Sequence, residues 1–69
     1  MITKKDVADA IHSIPDPFNP KILLGVMGVR VTKKNIRAVQ RILNYFENRG
    51  WVTLHSENLY LRTFKRFSF

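Results

Sequence analysis

The chain has 69 residues and no cysteine, so neither a disulfide nor a thiolate metal site can support a core that is close to the smallest size that folds alone. Its apolar fraction of 45% is ordinary for a globular domain, and no apolar run is long enough to predict a membrane span or a secretory signal. We therefore expect a small cytoplasmic domain with no membrane segment. The two histidines, His12 and His55, are isolated, and no catalytic or phosphate-loop motif occurs, so neither a metal, a cofactor nor an enzymatic activity is expected.

Positive charge is concentrated in the later part of the chain. The net charge is +7 and the pI is about 10.4. Residues 1–20 carry two lysines against three aspartates, whereas residues 21–69 carry ten Lys or Arg against two glutamates. This asymmetry favours an anionic partner, with nucleic acid first and an acidic protein or a membrane surface second.

Three helices are predicted from capping residues and apolar spacing. Thr3 and Asp6 form a capping-box pattern before a first helix over residues 4–14, which Pro15 ends. Asn19 caps a second helix over residues 20–27, and Gly28 breaks it. Thr32 caps a third helix over residues 33–48.

The third helix is strongly two-sided. At 100° per residue, one side forms an apolar stripe of Ile36, Val39, Ile42, Leu43 and Phe46. Roughly opposite lie Lys33, Arg37, Gln40, Arg41 and Asn44. A surface helix that stabilises itself usually interleaves glutamate with lysine, and here no acidic residue stands four positions from a cation. The pattern favours contact with an anionic partner over a merely solvated surface.

A hairpin is predicted after the third helix. Gly50 is placed to adopt the left-handed conformation that ends a helix, and residues 51–64 are rich in β-favouring residues around a turn at residues 56–58. One hairpin face is expected to hold Val52, Leu54, Leu59 and Leu61, and the other Trp51, Thr53, Tyr60 and Arg62. The predicted domain covers residues 1–64, and residues 65–69 form a basic, aromatic tail.

The sequence resembles the winged helix-turn-helix family, a DNA-binding family, over about residues 3–63. The resemblance rests on a pattern in which the third helix turns into the first strand: Leu43, Phe46, Glu47, Gly50, Trp51 and Val52. It implies an α+β, mostly helical fold, with a three-helix core and a C-terminal β-hairpin wing. A small basic chain of one domain is similar to phage or plasmid regulators. The resemblance therefore predicts a double-stranded DNA-binding protein, either a transcriptional regulator or a DNA-site accessory factor.

The resemblance also implies where DNA would bind. The third helix of this family enters the major groove, and amide groups at its N-terminus face phosphate. The implied contact residues are Thr32, Lys33, Lys34, Arg37, Gln40, Arg41 and Asn44, with Arg62, Lys65 and Arg66 near the wing. Arginine can pair with guanine, and glutamine or asparagine with adenine. Two features depart from the family pattern: the turn after Gly28 is long, and the wing tip at residues 55–58 has no Lys or Arg.

Several alternatives remain open. The basic face could dock on an acidic protein, so that the chain would serve as an inhibitor or assembly factor, or it could bind RNA or single-stranded nucleic acid. Trp51 and Tyr60 are expected to cover the core rather than to stack on bases. The Gly25-Val-Met-Gly28 segment formally matches a nucleotide-clamping loop but lacks its basic residues. Finally, three aromatic residues in and just before the tail predict either packing within the chain or a homodimer through the tail: Phe64, Phe67 and Phe69.

Overall fold

Three helices are followed by a two-stranded antiparallel hairpin in the computed structural model, which describes residues 1–63 and 65–68. The elements are α1 (Lys4–His12), α2 (Pro20–Met27), α3 (Lys33–Asn48), β1 (Val52–Ser56) and β2 (Leu59–Arg62). The predicted α+β class and the order of the elements are confirmed, and the bounds of α2 and α3 are those predicted.

Each helix begins at the predicted capping residue. Thr3 Oγ1 accepts from the Asp6 N–H, and the Asp6 carboxylate accepts from the Thr3 N–H, both at 3.1 Å. Asn19 Oδ1 accepts from the Ile22 N–H at 2.8 Å. The first helix ends at His12, two residues earlier than the predicted end at residue 14. The reason is Pro15, which has no N–H to donate to the preceding turn and disfavours helical geometry at the residue before it.

A left-handed glycine ends α3 and redirects the chain into the hairpin. Gly50 has φ +78°, and its N–H donates to the Glu47 carbonyl at 3.0 Å. The Trp51 N–H donates to the Phe46 carbonyl at 2.9 Å, which completes a Schellman motif. The Trp51 and Phe46 rings also pack together, with centroids 5.5 Å apart. The predicted role of Gly50 is therefore confirmed, and the same closure places Trp51 in the core.

The core takes residues from all five elements and from the loop between α1 and α2. The apolar stripe of α3 faces the core as predicted: Val39, Leu43 and Phe46 are fully inaccessible, and Ile36 and Ile42 are partly buried. Trp51 and Tyr60 are also buried, at 3% and 4% exposure, which confirms their predicted place in the core. The remaining core residues are Val7, Ala8, Ala10, Ile11, Phe18, Leu23, Leu24 and Val52.

The predicted faces of the hairpin were wrong. Val52 pairs with Arg62 and Leu54 with Tyr60, so these four side chains share one face. The Ser56–Leu59 pair leaves a two-residue loop, Glu57 and Asn58, and His55 bulges out of the ladder. This register buries Val52 and Tyr60 together against the helices, whereas Leu54 projects beyond the core and is 49% exposed.

The loop between α1 and α2 joins the hairpin through one residue. The Phe18 N–H donates to the Tyr60 carbonyl at 3.0 Å, and the Tyr60 N–H donates to the Phe18 carbonyl at 2.8 Å. The two rings stack with centroids 6.2 Å apart. Phe18 thus extends the sheet at the free side of β2 and ties the hairpin to the helical layer.

Part of the predicted tail packs on the domain. Phe67 stacks on Trp51 at 5.3 Å between ring centroids and meets Phe46 edge-on at 5.0 Å. It also contacts His12, at the end of α1, at 5.0 Å. Phe64 and Phe69 lie outside the described residues. Phe67 therefore packs within its own chain, and self-association through the tail remains a prediction.

Replacing Gly50 with alanine should destabilise the protein by about 1–2 kcal/mol, because a Cβ is strained at positive φ. The nearest atoms to that Cβ would be those of the Lys65 side chain, at 3.9 Å, so crowding adds little to the strain. Gly50→Asn should lose clearly less stability than Gly50→Ala, since asparagine tolerates the left-handed conformation. Urea unfolding followed by Trp51 fluorescence would measure both variants. Equal losses for the two would contradict a backbone origin.

Candidate nucleic-acid interface

Four cations occupy the solvent side of α3. We define the cationic face as Lys33, Lys34, Arg37 and Arg41, all of which are exposed. They lie across the helix from Val39 and the rest of the buried stripe. Arg41 follows Lys33 by eight positions, so the face runs for about 12 Å along the helix axis. The structure thus brings these predicted contact residues together on one accessible surface.

The position of this charge is unfavourable for the isolated helix. Lys33 and Lys34 lie in the first turn of α3, which contains no acidic residue. The positive end of a helix dipole repels cations and attracts anions, and each such contact changes stability by about 0.3–1 kcal/mol.

The Thr32 hydroxyl accepts from the Asn35 N–H at 3.1 Å. Its predicted place at the N-terminus of α3 is confirmed, with its hydroxyl serving the helix cap.

Arg30 lies beside this N-terminus, and the sequence interpretation missed it. The Asn35 side chain donates to the Arg30 carbonyl at 2.8 Å and so fixes the turn against the helix. Arg30 itself is exposed. Its position just before the predicted start of α3 could have identified it from the sequence as a further candidate contact residue.

Gln40 and Asn44 have partners inside the protein. Gln40 Nε2 donates to the Tyr60 hydroxyl at 2.6 Å and to Asn44 Oδ1 at 3.1 Å. Both amide hydrogens of Gln40 are engaged in these contacts, whereas bidentate pairing with adenine would need one of them. In this conformation Gln40 therefore connects α3 to β2, and base reading by Gln40 or Asn44 remains a prediction.

Arg62, Lys65 and Arg66 form a separate cluster. They line a groove together with His12 and Asp16. Lys65 Nζ donates to the Arg49 carbonyl at 3.1 Å, which places Lys65 at the C-terminal end of α3. A helix of 16 residues is about 24 Å long, so Lys65 lies roughly that far from the start of the cationic face. The predicted contact residues thus fall on two surfaces rather than one.

Tyr45 brings two further cations to the solvent side of α3. Lys4 Nζ lies 4.0 Å from the centre of the Tyr45 ring, and the Arg49 guanidinium lies 5.2 Å from it. Arg41 precedes Tyr45 by one helical turn. The sequence interpretation missed this group because Lys4 belongs to α1 and reaches Tyr45 only in the folded chain. Positive charge therefore continues along α3 towards its C-terminal end.

Two other sequence features take simple structural roles. The hairpin tip, residues 55–58, is exposed and carries Glu57 as its charged residue, so it offers no cation to a phosphate. The Gly25-Val-Met-Gly28 segment forms the last turn of α2 and its left-handed stop, with Gly28 at φ +71°. This segment is therefore not a free nucleotide-clamping loop.

No protein-family model, no curated protein and no solved structure matches the chain. Among residues 1–63 and 65–68, no helix is both long enough and apolar enough to cross a membrane.

The Gln40–Tyr60 contact should stabilise the packing of the hairpin on α3. Tyr60→Phe removes the hydroxyl acceptor, and we expect it to lower the free energy of unfolding by about 1 kcal/mol. Gln40→Leu should cost a similar amount, and the double variant should cost less than the sum. Urea unfolding of the two single variants and the double variant would measure the coupling. Strict additivity would show that the two groups do not interact.

Proposed function

We propose that this protein is a small winged-helix protein that binds double-stranded DNA and inserts α3 into the major groove. The element order supports the proposal, because three helices followed by a hairpin is the layout expected of that fold. The Phe18–Tyr60 bridge supports it further, since it holds the hairpin against the helices. The proposed role is that of a transcriptional regulator or a DNA-site accessory factor.

The observation that carries the proposal is the cationic face. Two lysines stand at the positive end of α3, where they oppose the helix dipole, and two arginines continue the same surface. A phosphate bound at this end would be attracted by both the lysines and the dipole, so DNA binding would relieve an unfavourable arrangement. A surface selected only for stability would place acidic residues there instead.

Within this proposal the lysines and the arginines of the cationic face contact different parts of the DNA. Lys33 and Lys34, at the helix N-terminus, contact phosphates, whereas Arg37 and Arg41 reach the base edges and favour guanine. The B-DNA major groove is about 12 Å wide and admits a helix. Arg62, Lys65 and Arg66 lie beyond the other end of α3 and would contact only the DNA backbone. The hairpin tip carries Glu57 and no Lys or Arg, so the wing has a minor part in binding.

Binding to duplex DNA should weaken steeply as salt rises. With roughly five phosphates contacted, the logarithm of the association constant should fall with a slope of about −4 to −5 against the logarithm of salt concentration. Fluorescence anisotropy with a labelled duplex at several salt concentrations would measure this slope. If duplex binding is absent even at low salt, the DNA-binding proposal fails.

Arg37→Ala should reduce discrimination between a preferred and a random duplex by about 1–3 kcal/mol if this arginine reads a base. The preferred duplex would first be selected from a random pool with the unaltered protein. Lys5→Ala is the matched control, because it removes one exposed charge from α1 and leaves the cationic face intact. Equal weakening on both duplexes would assign Arg37 to phosphate contact. Discrimination as large as that of the unaltered protein would exclude Arg37 as a reader.

A protein partner is the second candidate function. The observation that favours it is the hairpin tip, which presents Glu57 and no Lys or Arg. In this case the cationic face would dock on an acidic protein, and the chain would act as an inhibitor or an assembly factor. Binding of an acidic peptide, together with no binding of duplex DNA at the same low salt, would favour this function over the first.

A further inference from the structure

The solvent side of α2 is apolar. Pro20, Leu23 and Leu24 face the core, so the opposite side of this eight-residue helix presents Lys21, Ile22, Gly25 and Val26. Ile22 is 43% exposed and Val26 is 44% exposed. A Cβ added at Gly25 would meet no atom within 4 Å. We define this surface as the α2 face; it is a short apolar strip with a single cation near its N-terminal end.

Carboxylates lie beside the other end of the α2 face. Asp6 and Asp9, both on α1, line a groove together with Val26 and Met27 from the last turn of α2. Both aspartates are exposed. The order along the surface is therefore cation, apolar strip, carboxylates. When a second copy of this surface is turned end to end, the cation of each copy lies opposite the carboxylates of the other, and the two apolar strips meet.

We propose that two copies of this chain pair through the α2 face, with the two α2 helices antiparallel about a two-fold axis. In this arrangement Ile22 and Val26 of both copies bury each other, and Gly25 lets the helices approach closely. Each Lys21 then lies near the carboxylates of the other copy. Because the two-fold axis repeats the contact, one charge pattern satisfies both halves of the interface.

A second copy fits this surface better than another partner because of the distribution of charge. The chain carries a net charge of +7, so most ways of bringing two copies together would oppose cations. The α2 face has one cation and borders two carboxylates, whereas the cationic face lies on α3 and another cationic cluster lies near Lys65. Pairing through α2 thus keeps these two cationic surfaces out of the interface. The strip is short, so the dimer should be weak and its population should depend on concentration. The inference does not depend on DNA binding.

Gly25→Gln is the most direct test. The space beyond Gly25 is open and glutamine favours a helix more than glycine does, so the variant should fold at least as stably as the unaltered chain. We expect sedimentation equilibrium to show a mass that rises with concentration for the unaltered chain and a monomer mass for Gly25→Gln. Leu54→Gln is the matched control. It removes from the hairpin an apolar side chain about as exposed as Ile22 and Val26, and the dimer of this variant should persist.

A charge exchange tests the proposed antiparallel orientation. Lys21→Glu should weaken the dimer at least several-fold, and adding Asp9→Lys to that variant should restore it. Asp9 is chosen because Asp6 also caps α1. A concentration-independent monomer mass for the unaltered chain would overturn the proposal. A dimer that survives Gly25→Gln, including one abolished only by Phe69→Ser in the tail, would overturn it as well.

Discussion

The closure of α3 at Gly50 is the constraint on which the rest of the structure depends. Its left-handed backbone lets Trp51 donate to the Phe46 carbonyl, and the same reversal brings the Trp51 ring onto the Phe46 ring. Phe67 then packs against both of these rings. One backbone conformation therefore joins the longest helix, the start of the hairpin and the C-terminal segment into one aromatic cluster. Without disulfides, a chain of 69 residues relies on such shared packing.

The packing of α3 on the core leaves a single face of this helix open to solvent along most of its length. Val39, Leu43 and Phe46 occupy the core, and the Gln40–Tyr60 hydrogen bond anchors one edge of the helix to β2. The cationic face is then held on a rigid element rather than on a loop. For the proposed DNA binding this placement matters, because contact residues on a fixed backbone lose less entropy on binding than contact residues on a loop.

The surface divides into parts with different chemistry. The cationic face and the cations around Tyr45 follow α3, the cluster with Lys65 lies at its C-terminal end, and the α2 face is apolar beside two carboxylates. The proposals for DNA binding and for self-association use different parts of this surface. They are therefore compatible, and a two-fold pair would carry two copies of α3, as proteins that bind two DNA half-sites do.

Local chemistry was sufficient to predict the helices from the sequence. The caps at Thr3, Asn19 and Thr32 and the glycine stops at Gly28 and Gly50 depend on neighbouring residues only, so the sequence by itself determined where α2 and α3 begin and end. The same is true of the buried stripe and the cationic face of α3, because the helical repeat places every side chain once the bounds are known.

The tertiary structure decided the features that join residues distant in sequence. The hairpin register depends on burying Tyr60 and on the bulge at His55, which the strand pattern did not reveal. The Phe18–Tyr60 bridge and the Lys4–Tyr45 contact likewise link segments more than 40 positions apart. The Gln40 amide likewise donates to the Tyr60 hydroxyl, 20 positions away. Such contacts arise from the packing of whole elements against one another, and no periodicity within one element encodes them.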